Sequence, residues 1–363
     1  MAFGSGAEAT GWGRMTRVLS TAAAAFGLWA FLVNRWIINW VDSSSKRFAI
    51  LGLGLVLGAL AFVPLLRRSR GPWGRIAAFV IVAFTLGELR RAWLRHQYAV
   101  EVAGGASIEL FHPVTTTDLV VRHFEVPLRG LDVPRLRVLA ATDLHVTEDL
   151  PAAYYERVTQ QMAAQMPDLL LFTGDYLSQI RRLPLLEEFL RGVPRARYGN
   201  YGVLGNHDRW LKDPRIAQLF TRAGITLLSG ACDTVAIPGS RGVRVCGTEA
   251  PWGPELDAEA IARDAPGAAP MLAMSHTPDN VYDLAALGAA AVFAGHTHGG
   301  QVRLPLAGAI IIPSDYGRRF DLGHFKVEGA DLFVSAGVGA DHPALRIYCN
   351  PDLVEVDFTG TRP

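Results

Sequence analysis

Five short clusters in the chain hold side chains suited to binding metal ions. Thr142–Asp143–Leu144–His145 follows the apolar run LRVLAA, and Thr173–Gly174–Asp175 follows DLLLF. Gly205–Asn206–His207–Asp208 follows YGVL, Ser275–His276 follows MLAM, and Gly295–His296–Thr297–His298 follows AAAVFA. Polar residues after strands are ordinarily turns, which favour Gly, Asn, Asp, Ser and Pro. Turns do not call for histidine, yet five of the ten histidines fall here. Asp143 and His145 stand two residues apart, as do His296 and His298. In extended backbone such a pair points the same way, so each pair is expected to reach one ion. Gly295 permits close backbone approach, and Gly299–Gly300 a sharp exit. Asp175 and Asn206 add oxygen donors, and His276 adds nitrogen. Together these donors exceed the needs of one tetrahedral ion. They suit two divalent ions sharing a carboxylate. A nitrogen and oxygen set without sulfur fits Mn first, then Fe or Zn, and is too nitrogen-rich for Mg or Ca. Two such ions, roughly 3.5–4 Å apart, form a clamp for in-line displacement at phosphorus.

The clusters need strands that all stop at one place. Unbroken apolar runs mark strands buried on both faces. Ligand crevices of α/β sheets lie beyond the carboxyl ends of strands. The alternating stretch LVVRHFEV reads as one more strand. It lies in residues 95–135, a connector with a first strand, ahead of a domain expected over 136–363. Three cysteines without CxxC spacing argue against a disulfide framework or a zinc ribbon.

In that order, D-x-H, GD, GNHD, a lone His and GHTH resemble the calcineurin-like metallophosphoesterases. GHTHGGQ, SDYGRRF (314–320) and LFVSAGVG (332–339) resemble a bacterial membrane-associated branch of that family. That branch contains general phosphodiesterases and UDP-2,3-diacylglucosamine pyrophosphatases. The resemblance implies an α/β fold, a four-layer α-β-β-α sandwich with two mixed sheets and a di-metal site at the strand ends. It implies Asp143, His145 and His298 on the first metal, with Asn206, His276 and His296 on the second. Asp175 would bridge them. His207 would face the scissile phosphate and protonate the leaving group. In the family's protein phosphatases an Asp three residues after the bridging Asp supports that histidine. Ser178 stands there in this chain, so His207 is tuned by another group or acts mainly as a charge stabiliser.

Half of the residues are hydrophobic, and the excess is N-terminal. Phe48–Leu66 is 19 residues without a charge, close to the ~20 that span a hydrocarbon core as a helix. Val18–Val41 and Ile76–Gly87 are further apolar runs. Six of the eight tryptophans precede residue 94, as in an aromatic belt. Residues 1–94 are therefore expected to be a helical anchor of two or three spans in a bacterial cytoplasmic membrane. With two spans, the cluster Arg67, Arg68, Arg70 and Arg75 puts the catalytic domain in the cytoplasm. With three, the basic counts nearly balance.

The expected reaction is attack of a metal-activated water on a phosphoester or pyrophosphate. Arg303, Arg318, Arg319 and Arg346 follow the metal motifs and are either phosphate contacts or solvated charges. Trp252, in APWGPELD (250–257), either stacks on a base or sugar or packs within its loop. The anchor favours a lipid-linked substrate such as UDP-2,3-diacylglucosamine. A broad phosphodiesterase and a membrane scaffold with an inactive domain are the alternatives. A net charge of +1 disfavours nucleic acid. Asp175→Ala is expected to abolish both metal retention and turnover. A variant keeping its metals and full activity would remove the assignment.

Overall fold

A computed structural model describes residues 97–98, 111–263, 269–305, 308–309 and 311–360. The apolar segments of residues 1–94 lie outside the described residues. Among the described residues no helix is long and apolar enough to cross a membrane. The described residues from 111 to 314 and from 320 to 360 form one compact unit, and residues 315–319 are set apart from it.

The compact unit is α/β with two mixed six-stranded sheets. The first, in spatial order, is β1 (Val120–Leu128), β14 (Asp352–Gly360), β2 (Arg135–Ala141), β3 (Leu169–Phe172), β4 (Asn200–Gly202) and β5 (Ile225–Leu227). Strands β2 to β5 run parallel, and β14 lies antiparallel to β2 but parallel to β1. The second is β12 (Gly323–Val327), β13 (Ala330–Val334), β9 (Ala289–Ala294), β8 (Met271–Ser275), β7 (Val243–Thr248) and β6 (Ala231–Val235). Its middle strands are parallel and its two outer pairs antiparallel. A small hairpin pairs β10 (Arg303–Leu304) with β11 (Gly308–Ala309).

The central strands are apolar on both faces because both faces are covered. Val138, Leu169 and Leu171 of the first sheet meet Val245, Met274, Phe293 and Phe333 of the second. Phe333 stacks on Phe293 at 5.2 Å between ring centroids, and reaches Phe124 at 5.3 Å and Phe358 at 6.2 Å across the sheets. Leu139, Leu170 and Phe172 point the other way, onto helices. These are α1 (Ala152–Ala164), α2 (Leu183–Gly192) and, beyond α3 (Asn206–Leu211), α4 (Pro214–Arg222). Tyr154, Val158 and Met162 recur at helical spacing and bury that face of α1. Asp213 caps α4 by accepting from the Arg215 backbone N–H, with Pro214 in the first turn. After α5 (Ala258–Arg263), α6 (Val281–Ala286) packs on β9 and β12 of the second sheet.

One expectation is corrected. Cys232 and Cys246 are joined by a disulfide, and Cys349 is buried and unbridged. The two partners face each other in the antiparallel β6–β7 register. Their separation of 14 residues shows none of this without the strand pairing.

Phe333→Ala should lower unfolding stability by about 3–5 kcal/mol. Urea titration of the purified protein measures this, and a loss below about 1 kcal/mol would mean that the intersheet aromatics do not carry the core.

Candidate metal centre

The five clusters converge at the carboxyl ends of β2, β3, β4, β8 and β9. They do not do so by strand alternation. Strand β2 stops at Ala141, and Asp143 and His145 have φ of 49° and 37°. Asp175, His296 and His298 are also left-handed, at 55°, 66° and 50°. For residues bearing a Cβ this costs about 1 kcal/mol or more each. The expected extended pairs are thus kinked loops, in which the backbone turns at each ligand instead of every second residue. The loops hold this shape because their peptide groups are paired. The N–H of Asp143 bonds to the Gly174 carbonyl at 2.9 Å, and that of His145 to the Asp175 carbonyl at 3.1 Å. Gly295 is required for contact: a Cβ there would lie 2.3 Å from Asp143 Oδ2. At Gly205 it would lie 2.1 Å from Asp175 Oδ1.

Asp143, His145, Asp175 and His276 each have one atom fastened and one turned inward. Asp143 Oδ2 accepts from the Thr142 hydroxyl at 2.8 Å and the His296 N–H at 2.9 Å. Its Oδ1 lies 3.4 Å from His298 Nε2. Asp175 Oδ1 accepts from the His207 N–H at 2.9 Å. Its Oδ2 lies 3.1 Å from His276 Nε2 and 3.6 Å from His145 Nε2. His276 Nδ1–H donates to the Thr173 carbonyl at 2.7 Å, which leaves Nε2 as the donor atom. That Nε2 is 3.0 Å from Asn206 Oδ1. His145 Nδ1 is held by the Ser178 hydroxyl at 2.7 Å. Two groups meet at Asp175, one of Asp143, His145 and His298 and a second of Asp175, His276 and His296, while a third, His145, His207 and Asp341, shares His145 with the first. Asn206 joins the second through His276, and Asp175 faces both.

The donor set fits divalent ions. His145 Nε2 and His298 Nδ1 are buried with no hydrogen-bond partner, an arrangement that is costly without a ligand. Burial pushes His145 down to about 4 and His296 to about 3, and holds His298 well below the usual range. These imidazoles are neutral at pH 7, as ligation needs. Burial raises Asp143 to about 7. Burial would also raise Asp175, but His276 beside it, with His145 and His207, reverses this and holds the carboxyl low. His276 is raised in turn by Asp175, against the effect of its burial.

His207 is half-buried at the rim. Its ring meets His145 edge-on at 4.8 Å and Trp210 at 5.0 Å. Trp252 lies over the second group, 4.9 Å from His296 and 5.7 Å from His276. Arg303 and Arg346 are held by protein groups rather than solvated. Arg303 donates to the Gly299 carbonyl at 2.6 Å and pairs with Asp321 at 3.2 Å. Arg346 is fully buried and donates to the carbonyls of Ala336, Gly337, Gly339 and His298. Arg318 and Arg319 fall in the 315–319 segment, where Arg318 is buried and Arg319 lies over Tyr316 at 5.3 Å. Asp208 escaped the sequence reading although it ends the GNHD motif. It accepts from the N–H groups of Gly205, Tyr176 and Leu177, tying the start of α3 to the Asp175 turn.

Ligation requires Asp143 ionised and His276 neutral. Without ions His276, raised to about 9, carries a proton at pH 7, and Asp143, raised to about 7, carries one in about half of the molecules. Metal binding must release these protons. Affinity for Mn should therefore rise from pH 6 to pH 8, by up to about tenfold per pH unit for each proton. Calorimetry in buffers of different ionisation enthalpy should detect proton release at pH 7, and affinity independent of pH would contradict this assignment.

A family model for calcineurin-like phosphoesterases matches residues 136–300. The chain is 23% identical over 258 residues to "uncharacterized metallophosphoesterase YkuE" of Bacillus subtilis, covering 69% of this chain and 87% of that protein. It is 26% identical over 227 residues to "phosphodiesterase YaeI" of Escherichia coli, covering 61% and 82%. It is 22% identical over 233 residues to "UDP-2,3-diacylglucosamine pyrophosphatase LpxG" of Chlamydia trachomatis, covering 50% and 69%. The family uses a dinuclear divalent centre, and this structure offers candidate ligand groups on either side of Asp175. The chain carries a calcineurin-like metallophosphoesterase domain, the domain of metal-dependent phosphoester hydrolases.

Proposed function

We propose that the domain hydrolyses a lipid-linked pyrophosphate of the UDP-2,3-diacylglucosamine type, and that residues 1–94 tether it to a bacterial cytoplasmic membrane. The observation that carries the chemistry is Asp175 Oδ2, within 3.6 Å of His145 Nε2 and 3.1 Å of His276 Nε2. One oxygen there serves both ligand groups. When bound, two divalent ions, Mn first, polarise the phosphoryl oxygens and lower the pKa of a nucleophilic water.

The chain's own residues do the rest. His207 is fixed beside the bridging carboxylate by its backbone N–H. As the new P–O bond forms from water and the old one breaks, the leaving oxygen takes the His207 proton. Trp252 gives a half-buried aromatic face next to the second group, suited to stacking on a base or sugar. Support for a lipid-linked substrate comes from the charge-free run Phe48–Leu66 and the name of the Chlamydia relative. On the two-span count of basic residues the domain faces the cytoplasm.

The Cys232–Cys246 disulfide favours a second reading. Disulfides persist in oxidising compartments. It pairs with a phosphodiesterase acting outside the cytoplasm, in keeping with the name of the Escherichia coli relative.

The test uses detergent-purified, Mn-loaded protein beside His207→Ala. UMP release from UDP-2,3-diacylglucosamine and hydrolysis of bis-p-nitrophenyl phosphate are followed in parallel. UMP release that falls about 100-fold or more in the variant is the expected result. Turnover of the artificial diester alone moves the assignment to the second reading. No turnover, with no Mn retained by elemental analysis, leaves a scaffold.

A further inference from the structure

His207 is the one histidine of the site that neither group around Asp175 contains. Its imidazole needs a fixed orientation to meet a leaving group. The nearby turn after Asp175 does not provide one through Ser178, whose hydroxyl is engaged by His145 Nδ1 at 2.7 Å. A carboxylate arrives from a different part of the chain. Atoms of His145, His207 and Asp341 that could bind an ion all lie within 4.8 Å of one another. Asp341 sits on the loop between β13 and β14, far in sequence from the five clusters.

That loop is anchored on the site. Gln301, the residue after the GHTHGG run, accepts from the Asp341 N–H at 3.0 Å. It donates to the Asp341 and Pro343 carbonyls, each at 3.1 Å. Arg346 gathers the carbonyls of Gly337 and Gly339 just before it. Asp341 Oδ1 is fastened by the His342 N–H at 2.8 Å. The Asp341 backbone is thus held by Gln301 and one carboxylate oxygen by the His342 N–H, half-buried within 4.8 Å of a His207 ring nitrogen.

We propose that Asp341 is the positioning residue for His207. Its carboxylate sets the orientation and tautomer of the imidazole that faces the leaving group. Gln301 and Arg346 present it. The proposal rests on the hydrolytic reading of the site and specifies what controls its acid.

The test compares Asp341→Asn with the unaltered chain. Zn-loaded protein labelled with nitrogen-15 in histidine reports the His207 tautomer by NMR, independent of any turnover. His207→Asn identifies the signal. A single tautomer in the unaltered chain, redistributed in Asp341→Asn with metal content intact, is expected. Turnover should fall about 10- to 100-fold on diphenyl phosphate. The fall on bis-p-nitrophenyl phosphate should be smaller, because its leaving group needs less help from an acid. In a His207→Ala background, Asp341→Asn should add nothing. Loss of bound metal in Asp341→Asn would make Asp341 a ligand and overturn the proposal. So would an unchanged His207 signal, equal falls on both diesters, or additive effects. If the unaltered chain hydrolyses neither diester, the hydrolytic reading fails on its own, and the tautomer measurement decides Asp341.

Discussion

The site depends on burying carboxylates and imidazoles together in a space that excludes water. Asp175 is the case on which the others turn. Its carboxylate is almost wholly buried, which is expensive for a charge without partners. One oxygen is taken by a backbone N–H, and the other faces two imidazoles from separate strands. Moving any of these elements leaves a buried charge unpaired. Gly174 and Gly205 allow the backbones to crowd around it, since a Cβ on either would meet neighbouring atoms at 2.6 Å or less. The two sheets are the rigid frame for this crowding, and the ligands sit on loops because only loops can turn at every residue.

The scheme recurs at the other ligands. A fastened atom sets the direction of an exposed one: Thr173 for His276, Ser178 for His145, Thr142 for Asp143. Such outer partners fix ring tautomers and orient ligands before any ion arrives. Arg346 applies the same logic to the backbone. Its guanidinium collects carbonyls of the loops around the site, from His298, Ala336, Gly337 and Gly339. Cavity, strain and polar satisfaction are therefore one problem here, solved by a few residues with several donors each.

Much of this was legible in the sequence. The strand runs ahead of the five clusters are where they were expected, and the seven ligand types with their order were readable because histidine has no ordinary reason to sit in a turn. What escaped reading depends on pairing in space. The D-x-H and H-x-H spacings suggested strand alternation, but the backbone is left-handed at all four of these ligands. Arg303 and Arg346 were read as candidates for phosphate because arginine near a metal motif suits that role. Their partners are backbone carbonyls and, for Arg303, the Asp321 carboxylate, pairings that carry no sequence signal. Asp341 lies some forty residues beyond the last cluster, and the Gln301 clamp with the Arg346-bound loop brings it back. The Cys232–Cys246 bridge needed the β6–β7 register. The apolar segments before residue 95 fall outside the described residues.

The position of β14 bears on how the chain is made. This last strand lies between β1 and β2, the first two, and pairs with both. A ribosome delivers β1 and β2 more than two hundred residues before their shared neighbour. Until then each offers an unpaired edge, the usual template for association with other chains. The loop that braces the carbonyls of Thr142 and Asp143, through the N–H groups of Val338 and Gly339, emerges just ahead of β14. Completion of the first sheet therefore waits for β14, and a nascent chain needs protection of those edges until that strand has emerged.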